Sequence, residues 1–267
     1  MNFVNPKTDF AFKKIFGQES SKDILISFLN AILDYTGDNE ILDLDFLDPA
    51  SLPKIEALKT SFLDVSIRTK AGKQIIIEMQ VQNVEALEQR VLYNVTKRYS
   101  NQLSKSEHYS LLKPVIGLTI ADFNIIKDNN NYLSYFTLQE KHTGIKYNNE
   151  DIELVFVELP KFHKKLEELE TIQDKWIYFL RYAQDLELIP DRLKSVKEVE
   201  RAFHIAERSK MTAEELEAIE KREIFLMDIE GRYMLGKREG KEEIYDRLIK
   251  LGVSEEIAKQ ATYGEAA

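Results

Sequence analysis

Apolar and polar positions recur at two different periods along the chain, and the switches between them predict most of its elements. Thr8 stands as a cap before DFAFKKIF, and Gly17 closes what reads as a short helix. Ser20 or Ser21 then opens KDILISFLNAILDYTG, where Ile24, Phe28 and Ile32 recur at helical spacing and Gly37 supplies a stop. EILDLDFLD alternates apolar and acidic residues, as an edge strand or an extended linker would, and Pro49 and Pro53 bracket a loop after it. SFLDVSIRT and QIIIEMQVQ are strand-like, and the glycine of KAGK between them suits a short hairpin loop. EALEQRVLYNVTKRYSNQL follows as an amphipathic helix, with Leu87, Val91 and Val95 on one stripe and Arg90, Asn94 and Lys97 on another. PVIGLTIADF, NYLSYFTLQE and DIELVFVEL read as three more strands. The order of helices, hairpin, helix and strands predicts a mixed α/β sheet flanked by helices.

From Lys161 the sequence becomes charged and helical. KLEELETIQDKWIYFLRYAQDL places Trp176, Phe179, Leu180 and Ala183 on one apolar face, and Pro190 marks a break. SVKEVERAFHIAERS and TAEELEAIEKREIFLMDIEGRYML follow, each opened by a Ser or Thr cap. Gly231, Gly236 and Gly240 read as weak points or kinks of a C-terminal helix. These features divide the chain into residues 1–165, an α/β domain, and residues 166–267, a helical region for packing, dimerisation or regulation.

Composition narrows the class. With 267 residues, 43% of them hydrophobic, the chain can bury a real core. No stretch reaches the roughly 18 apolar residues of a membrane helix, and MNFVNPKTDFAFKK lacks the pattern of a secretory signal, so a cytoplasmic location without membrane attachment is expected. The absence of cysteine excludes disulfides, thiolate metal sites and cysteine nucleophiles. A net charge of −9 argues against coating nucleic acid through a broad basic surface, but leaves room for an enzyme with a local basic groove. Residues 1–165 carry 20 basic against 22 acidic side chains, and residues 166–267 carry 17 against 24, so the N-terminal part is nearly neutral. The four histidines are far apart and show no ligand spacing.

The hairpin holds the candidate chemistry. If its loop is Lys70–Ala71–Gly72, with Gly72 in the left-handed region, Asp64 lies opposite Glu78, and their Cβ atoms sit about 5 Å apart on one face. A two-residue loop offsets the register and separates them. Two carboxylates converging from apolar strands are what a hard divalent cation requires, whereas spacing alone favours a solvated polar face for Glu78, Gln80 and Gln82.

DFAFKKIFG, ILISFLNAIL, LDV, the hairpin, IEMQ, the Arg and Tyr of EQRVLYNVTKRY, and LLKPVIGLTIADF, in that order, resemble the PD-(D/E)XK nuclease superfamily, and within it the recombination-promoting nucleases, often labelled transposases. The similarity spans about residues 5–165. It implies a restriction-endonuclease-like fold, Mg²⁺ dependence with Mn²⁺ able to substitute, and hydrolysis of DNA phosphodiesters. Asp64 matches the motif's aspartate and Glu78 its second acidic position, while Leu63 replaces the proline. Gln80 falls where most of the superfamily has lysine, as is usual in the resembled subfamily, and would position the attacking water. The resemblance also implies Asp9 as a third metal ligand, its other reading being an acid favoured by the helix dipole, and Arg90 as a DNA contact. Lys97, about two turns on along the same face, is a second phosphate contact or part of a solvated helix face, and Lys59 and Lys73 are nearby cations without an assignment. A homodimer follows if both DNA strands are cut. DRLIKLGVSEEIAKQATYG resembles the start of a helix–turn–helix-like element, with Gly252 and Ser254 as turn and cap. The competing class is a non-catalytic DNA- or protein-binding module on the same fold, and a strand-joining transposase ranks third.

Overall fold

The computed structural model describes residues 2–47, 64–147 and 151–264. The loop expected at Pro49 and Pro53, the strand residues before Asp64, and Lys59 lie outside the described residues. Residues 1–212 form one compact unit and residues 213–267 a second, and the boundary expected after residue 165 falls inside the first.

The first unit is built on six strands: β1 (Leu44–Leu47), β2 (Asp64–Thr69), β3 (Gln74–Gln80), β4 (Val115–Ala121), β5 (Leu133–Thr137) and β6 (Ile152–Glu158), in the sheet order β1-β2-β3-β4-β6-β5. β1, β2 and β3 pair antiparallel, β3, β4 and β6 pair parallel, and β5 lies antiparallel against β6. EILDLDFLD thus supplies an edge strand. The change of sense at β3 has a covalent cause: β2 and β3 share a short loop, whereas parallel β3 and β4 need the crossover that α3 (Leu87–Ser100) provides. With a neighbour on each side, β3 and β4 are buried at every position, as near-continuous apolar runs require.

Around the sheet stand α1 (Asp9–Phe16), α2 (Lys22–Leu33), α4 (Ile172–Tyr182), α5 (Asp191–Lys194) and α6 (Lys197–Ala206). α4 and α6 pack on α2, and α1 packs on both α2 and α6. Their contact is largely aromatic: Trp176 meets Phe16, Phe28 and Phe179 at centroid distances of 5.7, 5.8 and 5.9 Å, and its indole N–H donates to Ser27 Oγ at 3.2 Å. Burial pushes the Asp174 carboxyl up, but the Lys164 ammonium and the amides of Thr171 and Glu170 outweigh it and hold the group below the usual carboxylate value.

Several helix ends differ from their expected chemistry. Thr8 and Ser21 occupy the N-cap positions of α1 and α2, yet their hydroxyls donate backwards, to Asn5 O and Gln18 O, instead of accepting from the helix. α2 stops at Asp34, in the left-handed region at φ 53°, before Gly37 is reached; a short carboxylate side chain tolerates that conformation. α6 starts after Val196, and the Ser195 hydroxyl, expected as its cap, donates to Arg192 O instead.

The second unit comprises α7 (Ala213–Lys250) and α8 (Glu255–Tyr263). Gly231, Gly236 and Gly240 lie within one continuous α7, Gly252 turns the chain at φ +80°, and Ser254 is the N-cap of α8. Among the described residues, no helix is long and apolar enough to cross a membrane.

Candidate active site

The site begins with a glycine. Gly72 adopts φ +88°, its N–H donates to Thr69 O at 2.8 Å, and the Thr69 N–H donates to Lys73 O at 2.9 Å. This is the three-residue loop, and it places Asp64 opposite Glu78. The two acidic positions therefore share one face of the sheet, and the two-residue alternative falls away.

That face continues through Gln80, which pairs with Ala121 of β4, and Thr119, which pairs with Glu78. α3 covers it. Leu87, Val91 and Val95 are buried against the sheet, and the helix comes so close to β4 that a Cβ on Gly117 would lie 2.6 Å from Val95 Cγ2. Because Asn94 and Arg90 sit beside that apolar stripe at i, i+4 spacing, the close approach lowers both onto Glu78. Asn94 Nδ2 donates to Glu78 Oε1 at 3.0 Å, Gln80 Nε2 donates to Glu78 Oε2 at 3.3 Å, and Arg90 Nη2 stands 3.8 Å from Oε2. Glu78 is 3% exposed and Gln80 1%. The polar stripe of β3 is thus no solvated face at these two positions. Both carboxylate oxygens have donors, as burial of such a group demands.

Asn94 was legible only as part of a polar helix stripe, and its position four residues after Arg90 was the available signal. One turn further, buried Arg98 donates from Nη2 to Ser66 Oγ at 3.1 Å, extending the polar seam between α3 and β2.

The remaining predicted residues are placed less centrally. Asp9 begins α1 and is half-buried. Two residues earlier, Lys7 Nζ lies 2.7 Å from Asp122 Oδ2, and the Asp122 N–H donates to Gln80 O at 2.9 Å, so the chain entering α1 is tied to the end of β3. The Lys97 ammonium stands 5.5 Å over the ring of Tyr93 on the same helix. Lys73 turns to Tyr35, at 3.1 Å from its hydroxyl.

Alanine at Gly117 must displace Val95, the residue next to Asn94. Overpacking of this kind costs about 1–3 kcal/mol. Gly117→Ala is expected to lower the unfolding free energy by that amount, read as a lower midpoint in urea denaturation, and an unchanged midpoint would show that α3 is not held at this point.

Comparison with known families matches residues 6–233 to the model of the PD-(D/E)XK nuclease family transposase. The chain belongs to that family. No curated protein and no solved structure matches it. The six-stranded mixed sheet with flanking helices is the restriction-endonuclease-like α/β fold of the PD-(D/E)XK nucleases. Membership implies a nuclease-like or transposase function with DNA as substrate, and PD-(D/E)XK nucleases generally use divalent metals. Among the described residues, no group of three or more acidic, histidine or cysteine side chains gathers as a metal cage. The donor chemistry nevertheless suits a hard cation. Glu78, the amide of Gln80 and the paired position of Asp64 offer oxygens without sulfur or imidazole, and Mg²⁺ is commonly held by one or two carboxylates with water and substrate phosphate completing its shell.

Proposed function

We propose that this PD-(D/E)XK family member is a metal-dependent DNA endonuclease, acting in the cytoplasm in recombination, mobile-element traffic or defence against foreign DNA. The observation that carries the reading is the pairing of Asp64 with Glu78 on a buried sheet face whose neighbouring polar groups converge on Glu78. Asp64 and Glu78 would hold Mg²⁺, or Mn²⁺ in its place, with Asp9 joining from α1. When bound, such an ion polarises the phosphate and lowers the pKa of a coordinated water.

The protein's own groups have distinct tasks. Asn94 fixes the rotamer of Glu78 through Oε1. Gln80, buried beside it, hydrogen-bonds the attacking water. In the hydrolysis the water oxygen bonds to phosphorus as the bond from phosphorus to the leaving sugar oxygen breaks. The water proton passes to solvent, and the leaving oxygen takes a proton in turn. Arg90 and Lys97 line the side of α3 from which a phosphate backbone would approach. Cutting both strands calls for two sites, hence a homodimer, with the C-terminal helices as its contact.

Supercoiled plasmid incubated with the full chain in Mg²⁺, Mn²⁺ or EDTA tests the reading. Wild type is expected to nick with either metal and not in EDTA, and Asp64→Ala is expected to nick in none. DNA bound but uncut under every metal would support a binding module on the same fold instead, as the glutamine at position 80 would suit.

A further inference from the structure

We propose that Arg90 supplies the positive charge that the PD-(D/E)XK motif takes from its lysine, and that it acts on the phosphate in the chemical step and not only in DNA binding. The inference rests on the nuclease reading. With Gln80 in the lysine's place, the strand itself offers an amide, which can hydrogen-bond a water but cannot offset charge developing on phosphate oxygens. A second positive charge beside the metal would have to come from another element.

The structure shows where. Gln80 Nε2 and Arg90 Nη2 approach the same oxygen, Glu78 Oε2, at 3.3 and 3.8 Å, so the guanidinium of α3 stands at the spot to which the strand residue points. Among the described residues, Lys7 is engaged with Asp122 and Arg98 with Ser66, and Lys97 lies two turns further along α3 over the ring of Tyr93.

Exposure separates the two roles within the cluster. The Glu78 side chain is 4% exposed and that of Arg90 25%, so Arg90 borders both the buried carboxylate and the solvent from which a phosphodiester arrives. At 3.8 Å the contact with Glu78 is an ion pair beyond hydrogen-bond distance. A planar guanidinium can then present two N–H groups to two phosphate oxygens while keeping its charge at any working pH. Asn94 retains Glu78 through the opposite oxygen, Oε1, so a turn of Arg90 toward substrate leaves the carboxylate held.

Moving the charge between two positions tests the proposal. Single-turnover cleavage at saturating protein, DNA affinity by fluorescence anisotropy in EDTA, and thermal unfolding are measured for Arg90→Met, Arg90→Lys, Gln80→Lys and the double variant Gln80→Lys/Arg90→Met. Arg90→Met is expected to slow the saturated cleavage rate by about 10²–10³-fold, the cost of removing one preorganised charge stabiliser, while affinity changes far less. Adding Gln80→Lys to Arg90→Met is expected to restore cleavage by at least about tenfold, and Arg90→Lys to retain part of the rate. A purely structural role would not respond to a lysine placed on the neighbouring strand. Arg90→Met that weakens binding but cleaves normally at saturation overturns the inference and leaves the nuclease standing. So does a folded, DNA-binding double variant that regains nothing. If wild type never cleaves, the nuclease reading fails and the inference fails with it.

Discussion

Glu78→Gln is expected to stop DNA cleavage while the protein stays folded. The substitution keeps shape and volume and removes the negative charge. It also turns one acceptor oxygen into a donor, although both oxygens of Glu78 receive amide N–H groups, from Asn94 at 3.0 Å and Gln80 at 3.3 Å. One of these donors must then face another. A mismatch of that kind costs about 1–3 kcal/mol of stability, and removal of a buried anion offsets part of it. For catalysis nothing compensates. A bound cation contributes several kcal/mol to the transition state, and each 1.36 kcal/mol is tenfold in rate, so the loss is about 10³-fold or more. Single-turnover cleavage and a melting curve on the same preparation separate the two effects. Cleavage within about tenfold of wild type in a folded variant would remove Glu78 from the reaction.

Trp176→Ala carries the largest expected effect on stability, about 3–5 kcal/mol, out of the 5–15 kcal/mol typical of a native protein. The indole is fully buried, its N–H is hydrogen-bonded to Ser27, and its ring joins α4 to Phe16 of α1 and Phe28 of α2. Alanine leaves a cavity among rings that cannot close over it. Chemical denaturation reads the loss directly. A cost below about 1 kcal/mol would show that α4 rests on α1 and α2 without supporting them.

Trp176 also marks the limit of what could be read from the chain. Its apolar face was visible in the spacing of Trp176, Phe179, Leu180 and Ala183, but the partner of that face was not, because α1 and α2 lie some 150 residues away. Pairing over such distances leaves no local signature, and a change of composition near residue 165 looked like a border although the compact unit runs on to Thr212. The hairpin was legible for the opposite reason. Three loop residues and one left-handed glycine set its register, and the pairing of Asp64 with Glu78 follows from arithmetic along fewer than twenty residues. Periodicity failed at β3. Alternation promised a wet face for Glu78 and Gln80, whereas a helix lies over it, brought close by the missing side chain of Gly117. Asn94 was hidden by the same contact, since its importance comes from what α3 touches and not from its own spacing.

The cover over Glu78 bears on the speed of the reaction cycle. A carboxylate closed to solvent on the sheet side can be met by a phosphate only after some group makes room, and in the proposed arrangement that group is the Arg90 side chain, partly open to water. Opening is then a rotamer change of that side chain. A single side-chain rotation is fast beside loop and domain motions of microseconds to milliseconds. Turnover would accordingly be governed by the chemical step or by departure of the cut ends, and solvent viscosity should bear on the second and not on the first.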